Sequence, residues 1–299
     1  MTSRQSVSIV GILIWSGVAL TAAPRATPRR HTAALAPTEE VLAASCSDLH
    51  VRFDRHETVM QSEERSISPA EAPTLRVRAE SNAGLQVQGW DQENYSVTLC
   101  KATEAGHHAE ATLSQIHLTF QNSELGVSGP HSGDDWRAHL LIRAPKGASI
   151  DLTVHNGPMT LRRVDGHLRV RAENGPISVT ECTGNLDLSS HNGPVTLEAN
   201  SGKQNVRSEN GPVTVSLAGE VWTGSGLEAH ATNGPVRLEI PSGYKSGVVL
   251  ESDGGPFECH ASVCSEGRKT WDDDHKRIEF GSGPTLIRVS TVNGPVSVN

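Results

Sequence analysis

The tripeptide Asn-Gly-Pro recurs at Asn156, Asn174, Asn192 and Asn210 with an unbroken period of 18 residues, and again at Asn233 and Asn293 after insertions. A fixed period of this length marks one supersecondary unit stacked on copies of itself. Just past each corner, apolar residues alternate with polar ones: Met159 and Leu161, Ile177 and Val179, Val195 and Leu197, Val213 and Val215. Such alternation marks a strand with one buried face. Eight residues after each Pro a second glycine (Gly166, Gly184, Gly202) opens another alternating run, such as Leu168, Val170, Ala172. Each unit therefore reads as strand, turn, strand, corner.

A meander of antiparallel hairpins competes with a coiled stack, because Asn-Gly between alternating apolar runs is a hairpin signal. The prolines decide against the hairpin. A two-residue turn closes through the N–H of the residue after Asn-Gly, and Pro158, Pro176, Pro194 and Pro212 have none. In a stack, Gly supplies the corner dihedral and Pro fixes the exit direction. The Asn side chains then lie about 4.8 Å apart, close enough to hydrogen-bond as a ladder. The expected fold is all-β: a single elongated parallel β-solenoid with 18-residue rungs in its regular part.

A left-handed β-helix of hexapeptides needs an aliphatic residue at every sixth position. Six and twelve residues after Met159, Ile177 and Val195 stand Asp165, Arg171, Thr183, Ser189, Ser201 and Arg207, which disfavours a hexapeptide acyltransferase. The expected rung core lies one, three, six, ten, twelve and fourteen residues past each Pro. That makes Val164 and Cys182 equivalent buried positions, while Asn200 and Gln204 break the pattern in the third rung.

Aromatic residues make up 4% of the 299-residue chain and the formal net charge is −8, so the basic footprint of a nucleic-acid binder is missing. Anionic lipid surfaces are disfavoured for the same reason. Residues 1–23 carry Arg4, an apolar stretch from Val7 to Leu20 and the small run Thr21, Ala22, Ala23, which read as an export signal. Cleavage after Ala23 would put Pro24 beside the cut; the alternative is an uncleaved N-terminal anchor, which would be the chain's only tie to a membrane. Residues 24–45, rich in Ala, Pro, Thr and Arg, read as a flexible linker, and residues 46–299 as one domain. The expected location is extracytoplasmic: periplasm, cell surface or medium.

Five cysteines in an exported chain leave one unpaired. Cys182, at a buried rung position, is the natural odd one. Cys259 and Cys264 can close a local loop and Cys46 can tie the first strand to Cys100, although other pairings fit the sequence equally.

Between Cys46 and Val154 the period of two persists without the strict repeat, through runs such as Leu75, Val77, Ala79 and Leu85, Val87. Loops are expected at Ser62–Pro73, Ala102–His108 and Ser128–Asp135, and helix only in the export signal and around Thr38–Ala44. After Asn233 the rungs lengthen, Gly254-Gly255-Pro256 replaces the usual corner, and a polar excursion runs from Ser265 to Arg277. The chain ends on Asn293-Gly-Pro-Val-Ser-Val-Asn299, within a rung, which predicts an end of the stack either covered by an earlier loop or open to another strand.

Several segments together resemble the toastrack family of candidate bacterial adhesins over about residues 46–299. They are the export signal, the segment from Leu75 to Asp91, the Ala144-Pro145-Lys146-Gly147 step, the repeated corners and the closing Thr291-Val-Asn-Gly-Pro-Val-Ser-Val. The resemblance implies an extracytoplasmic β-solenoid of the cell envelope and identifies a fold rather than an activity. The cysteines and the Ser265–Arg277 insertion depart from a plain member.

One position before each corner Asn stand His155, Glu173, His191 and Glu209, an expected column of imidazole and carboxylate. Zinc needs three or four ligands converging at about 2.0–2.2 Å, and a straight column spreads its members along the axis, so a structural ladder is the better reading. The file Thr160, Ser178, Thr196, Thr214 is flanked by the mixed Arg162, Thr180, Glu198, Ser216 and reads as solvated strand face. Asp272, Asp273 and Asp274, between Trp271 and His275, read as a charged loop, because calcium draws its oxygens from spaced positions. No phosphate loop or nucleophile elbow occurs in the sequence, and no cofactor is expected.

The expectation is a non-enzymatic, exported recognition or scaffolding module whose partner is an envelope protein or glycan. The alternatives are a carbohydrate-active β-helix enzyme using Asp272–Asp274, and a signalling element that captures a membrane partner through its open terminal rung.

Overall fold

A computed structural model describes residues 42–53, 57–79, 83–130, 136–272 and 275–299. The expected export signal and residues 24–41 of the expected linker lie outside the described residues, as do Asp273 and Asp274.

The chain is all-β, with long parallel sheets. From Ala148 onward each unit lays a long strand in one sheet and a short strand in the other: Ala148–Asn156 then Met159–Arg162, Asp165–Asn174 then Ile177–Thr180, Thr183–Asn192 then Val195–Ala199, Ser201–Asn210 then Val213–Leu217. Residues eighteen apart are partners in parallel ladders, Leu168 with Leu186 and Ile177 with Val195, so the corners join sheets rather than closing hairpins. Among the described residues the two sheets contain 12 and 11 strands.

Alternation decides which side chains meet between the sheets. Met159, Leu161, Val164, Leu168, Val170 and Ala172 are buried, as are Ile177, Val179, Cys182, Leu186, Leu188 and Ser190 one rung on. At roughly 1.5–3 kcal/mol for each large aliphatic side chain, this burial is the main force holding rung on rung. The third rung departs from the pattern. Asn200 is exposed, and Ala199 takes the buried place. Gln204 is buried, its Nε2 donating to the carbonyls of Ser201 and Cys182 at 3.1 and 3.4 Å. The five extra residues before Asn233 bring Trp222 over this corner, where its Nε1 donates to Gly202 O at 3.1 Å.

The arrangement differs from a uniform parallel coil at both ends. Strands Leu75–Ala79 and Ala83–Gly89 lie directly on the first regular rung, Leu75 opposite Ile150 and Leu85 opposite Met159. Beyond them Tyr95–Glu104 runs antiparallel to both Trp136–Ala144 and Thr58–Ile67. The latter occupies half of the segment expected to be a loop from Ser62 to Pro73. It alternates no apolar residues because it is an edge strand, and Glu63, Glu64 and Arg65 guard that edge against further pairing. A five-residue α-helix, Ala109–Leu113, was not legible as such; it buries Leu113 and, just beyond it, Ile116 under the end of the core.

The predicted place of the terminal rung at an end of the stack is also corrected. Val296–Val298 pairs on one side with Val236–Glu239 and on the other with Phe257–Cys259. Likewise Thr285–Asn293 lies between Thr223–Asn233 and Gly247–Ser252. The chain therefore overshoots by one rung, turns back through an antiparallel hairpin (Arg268–Trp271 with Lys276–Phe280), and inserts its last two strands into the gap. The hairpin also means that the polar excursion from Ser265 to Arg277 contains a strand.

Candidate functional site

At the corner Asn156, Asn174, Asn192, Asn210, Asn233 and Asn293 form a single file. Each later Asn donates from Nδ2 to Oδ1 of its predecessor, at 3.0, 2.9, 3.2, 3.1 and 3.0 Å in turn. The main chain continues the ladder, with Gly175 N–H donating to Asn192 O at 3.1 Å and Ile177 N–H to Pro194 O at 2.9 Å. Pro contributes only its carbonyl, so its missing N–H leaves nothing unpaired at this step. Gly175 has φ +131°, and a Cβ there would stand 2.3 Å from the carbonyl oxygen of Gly157. No other residue fits so close to the rung beneath.

Beside this file, the outward face of the long-strand sheet is polar and tied across rungs. Arg171 Nη1 donates to Asp151 Oδ1 at 3.0 Å, and Asp187 lies 3.8 Å from Arg169 and 3.6 Å from Arg207. His155 stands 3.6 Å from Glu173, and His191 Nδ1 is 2.5 Å from Glu209 Oε2. A shallow groove of about 700 Å³ runs over these rungs, with Arg171, Ser189, His191 and Arg207 in its floor and His230 at its far end. Exposed pairs of this kind contribute about 0–1 kcal/mol each, so the network holds side chains in place more than it stabilises the fold.

At one end of the short-strand sheet, residues 43–49 cover the outer face around Gln86, Cys100 and Leu141. The disulfide Cys46–Cys100 staples this segment down. Gln86, buried, receives Ala43 N–H at Oε1 (3.0 Å) and donates from Nε2 to Ala43 O (2.8 Å), pairing its side chain with the segment's backbone as a neighbouring strand would. His139, opposite Cys100 in the ladder, packs against Gly84, and burial lowers its pKa to about 4. A second disulfide joins Cys259 and Cys264. Cys182 is free and buried, and burial pushes its pKa up to about 11.

Asp272 belongs to a turn: its N–H donates to His275 O at 3.0 Å and its Oδ1 accepts from His275 N–H at 2.6 Å. His275 Nδ1 lies 2.8 Å from Asp253. Trp271, beside it, is exposed, with its ring 6.2 Å from that of Phe257. Among the described residues no three His, Cys, Asp or Glu side chains gather as a metal-binding group, and no helix is long and apolar enough to cross a membrane. Sequence reading missed Gln86 and His139; their outward strand positions carry no signal of the segment that covers them.

These features define a class: an all-β protein of long parallel sheets, two disulfides and a shallow polar face. No family model and no curated protein matches the chain. Its coordinates are similar to those of several solved structures. One is a candidate cell-adhesion protein from Clostridium sporogenes, with TM-score 0.35 and 12% identity over 80% of this chain and 99% of that one. A candidate adhesin from Parabacteroides merdae gives 0.33 and 11% over 80% and 96%. A candidate lipid-binding protein from Parabacteroides distasonis gives 0.32 and 10% over 80% and 97%.

Proposed function

We propose that the chain is an exported, non-catalytic β-solenoid of the cell envelope, an adhesin-like module that recognises or scaffolds a partner on its long-strand face. In this reading the two sheets are the two sides of one coil, because the chain passes from one to the other at every corner. The two disulfides fit an oxidising compartment outside the cytoplasm. The observation that carries the reading is the outward network around Asp187. Its carboxylate engages Arg169, Arg207 and Asn205 on the rungs to either side, so recognition groups are held in a fixed pattern before any partner arrives.

The test is retention of envelope material by the immobilised chain, compared with the variant Arg169→Ser, Asp187→Ser, Arg207→Ser. The wild type is expected to retain components that the variant does not, with both melting alike. Equal retention by the two proteins, or none by either, would sink the proposal.

A further inference from the structure

The fold repeats every 18 residues, but part of the chemistry of the outer face repeats every 36. Asp151, Thr153 and His155 on one long strand are matched by Asp187, Ser189 and His191 two rungs on. Between and beyond them, Arg171 and Glu173 are matched by Arg207 and Glu209. Each pair of rungs therefore presents one cell, with Arg beside Asp and His beside Glu. The ion pairs repeat as well: Arg171 with Asp151 and Arg207 with Asp187, His155 with Glu173 and His191 with Glu209.

Packing does not impose this doubling. On the same strands most inward residues drift between the two cells, Ile150 to Leu186, Val154 to Ser190, Leu168 to Gln204 and Ala172 to Ser208, though Leu152 recurs as Leu188 and Val170 as Val206. Outward, the Asp, Arg, His and Glu of the cell keep their identity, whereas Ser149, His167 and Arg169 give way to Asn185, Lys203 and Asn205. Avoidance of like charges on neighbouring rungs explains alternation of sign. It does not explain why Asp recurs as Asp rather than Glu, or why His recurs at all. The groove takes in the Arg, His and Glu of both cells, though not their Asp, and runs on to His230 and Thr232 on the strand after the five-residue insertion that breaks the phase.

We infer that this groove binds a linear, uncharged, β-linked polysaccharide lying across the strands, one two-sugar repeat to each cell; the inference rests on the recognition face proposed above. The cells recur at roughly 9.6 Å, twice the spacing of neighbouring strands. A β-1,4-linked chain, in which alternate rings are flipped, repeats over a closely similar length. Carboxylate, guanidinium and imidazole each offer two hydrogen-bonding atoms, the geometry needed to grip adjacent sugar hydroxyls. In the groove Arg171 and Arg207 are matched by Glu173 and Glu209, so it offers an anionic polymer no excess of positive charge.

The experiment is calorimetric titration of the folded chain with β-1,4-linked N-acetylglucosamine and glucose oligomers of two and six sugars. At least one hexamer is expected to bind roughly tenfold or more tightly than its dimer, because the second cell is engaged intramolecularly. Arg207→Gln, which leaves one cell, and the exchange Ser189→Arg with Arg207→Ser, which shifts the second Arg by one rung, are each expected to reduce the hexamer to the affinity of the dimer. Circular dichroism melts confirm that each variant folds. Hexamers that bind no better than dimers, or not at all, or that bind both variants like the wild type, would overturn the inference. If envelope material is still lost from the face variant of the preceding section, only the choice of ligand falls; if that difference is missing too, both readings fall.

Discussion

Asn192 donates its Nδ2–H to Oδ1 of Asn174 at 2.9 Å while its own Oδ1 accepts from Asn210 at 3.2 Å, so each interior amide of the file is both donor and acceptor. Asn192→Ala removes both bonds and leaves the amides on either side to solvent, at a cost of about 1–2 kcal/mol. Gly193→Ala should cost more, about 2 kcal/mol or above: Gly193 has φ +126°, and the new Cβ would stand 2.4 Å from Gly175 O, a backbone atom that cannot step aside. Denaturant melts of the two variants check the order; equal, negligible shifts would contradict the corner geometry.

The inserted final rung predicts the outcome of truncation. Deleting residues 285–299 takes Ile287, Val289, Val296 and Val298 from the middle of the two sheets, all of them at most 1% exposed. At about 1.5 kcal/mol or more apiece the loss is roughly 6 kcal/mol, comparable to the whole stability of an ordinary domain. The shortened chain should lose its cooperative thermal transition. A truncated protein that melts like the full chain would mean that these strands lie at an edge.

The His139 imidazole is held neutral by burial, with a pKa near 4 against an ordinary 6.5. The unfolded chain takes up its proton first as pH falls, so stability from this site is complete above about pH 6.5 and declines toward pH 4, by up to about 3 kcal/mol. His139→Gln should flatten that part of the pH–stability curve. An unchanged slope between pH 6.5 and 4 in the variant would show that other groups control it.

How much of this was legible in the sequence depends on whether the signal was local and repeated. The corners, the parallel partners eighteen apart and the core positions of the first two rungs follow from Asn-Gly-Pro and strict alternation, each stated several times over by the chain. The edge strand Thr58–Ile67 was not legible, because a strand whose faces are both partly solvated has no apolar alternation to reveal it. The return of residues 285–298 into the middle of the sheets was hidden for a different reason: Ile287 and Val289 look the same whether one rung or two lie beside them. On the outer face the His and Glu column could be read from spacing alone. The closeness of Gln86 to Ala43 depends on how a non-repeating segment crosses a sheet, and no period encodes that.

Cys182 offers a direct probe of rung packing. The thiol is buried in the corner of the second rung, and burial raises its pKa from 9.0 to about 11, which lowers the reactive thiolate roughly 100-fold before any steric protection. The other four cysteines are paired in disulfides. Without reductant, an alkylating reagent at pH 8 should therefore leave the native protein unmodified and label one thiol per chain in denaturant. The slow native labelling that remains should track opening of the second and third rungs, so Gly193→Ala is expected to accelerate it. Rapid labelling of the wild type would mean that the Cys182 corner is open to solvent, and labelling of more than one thiol in denaturant would mean that the cysteine pairing is incomplete.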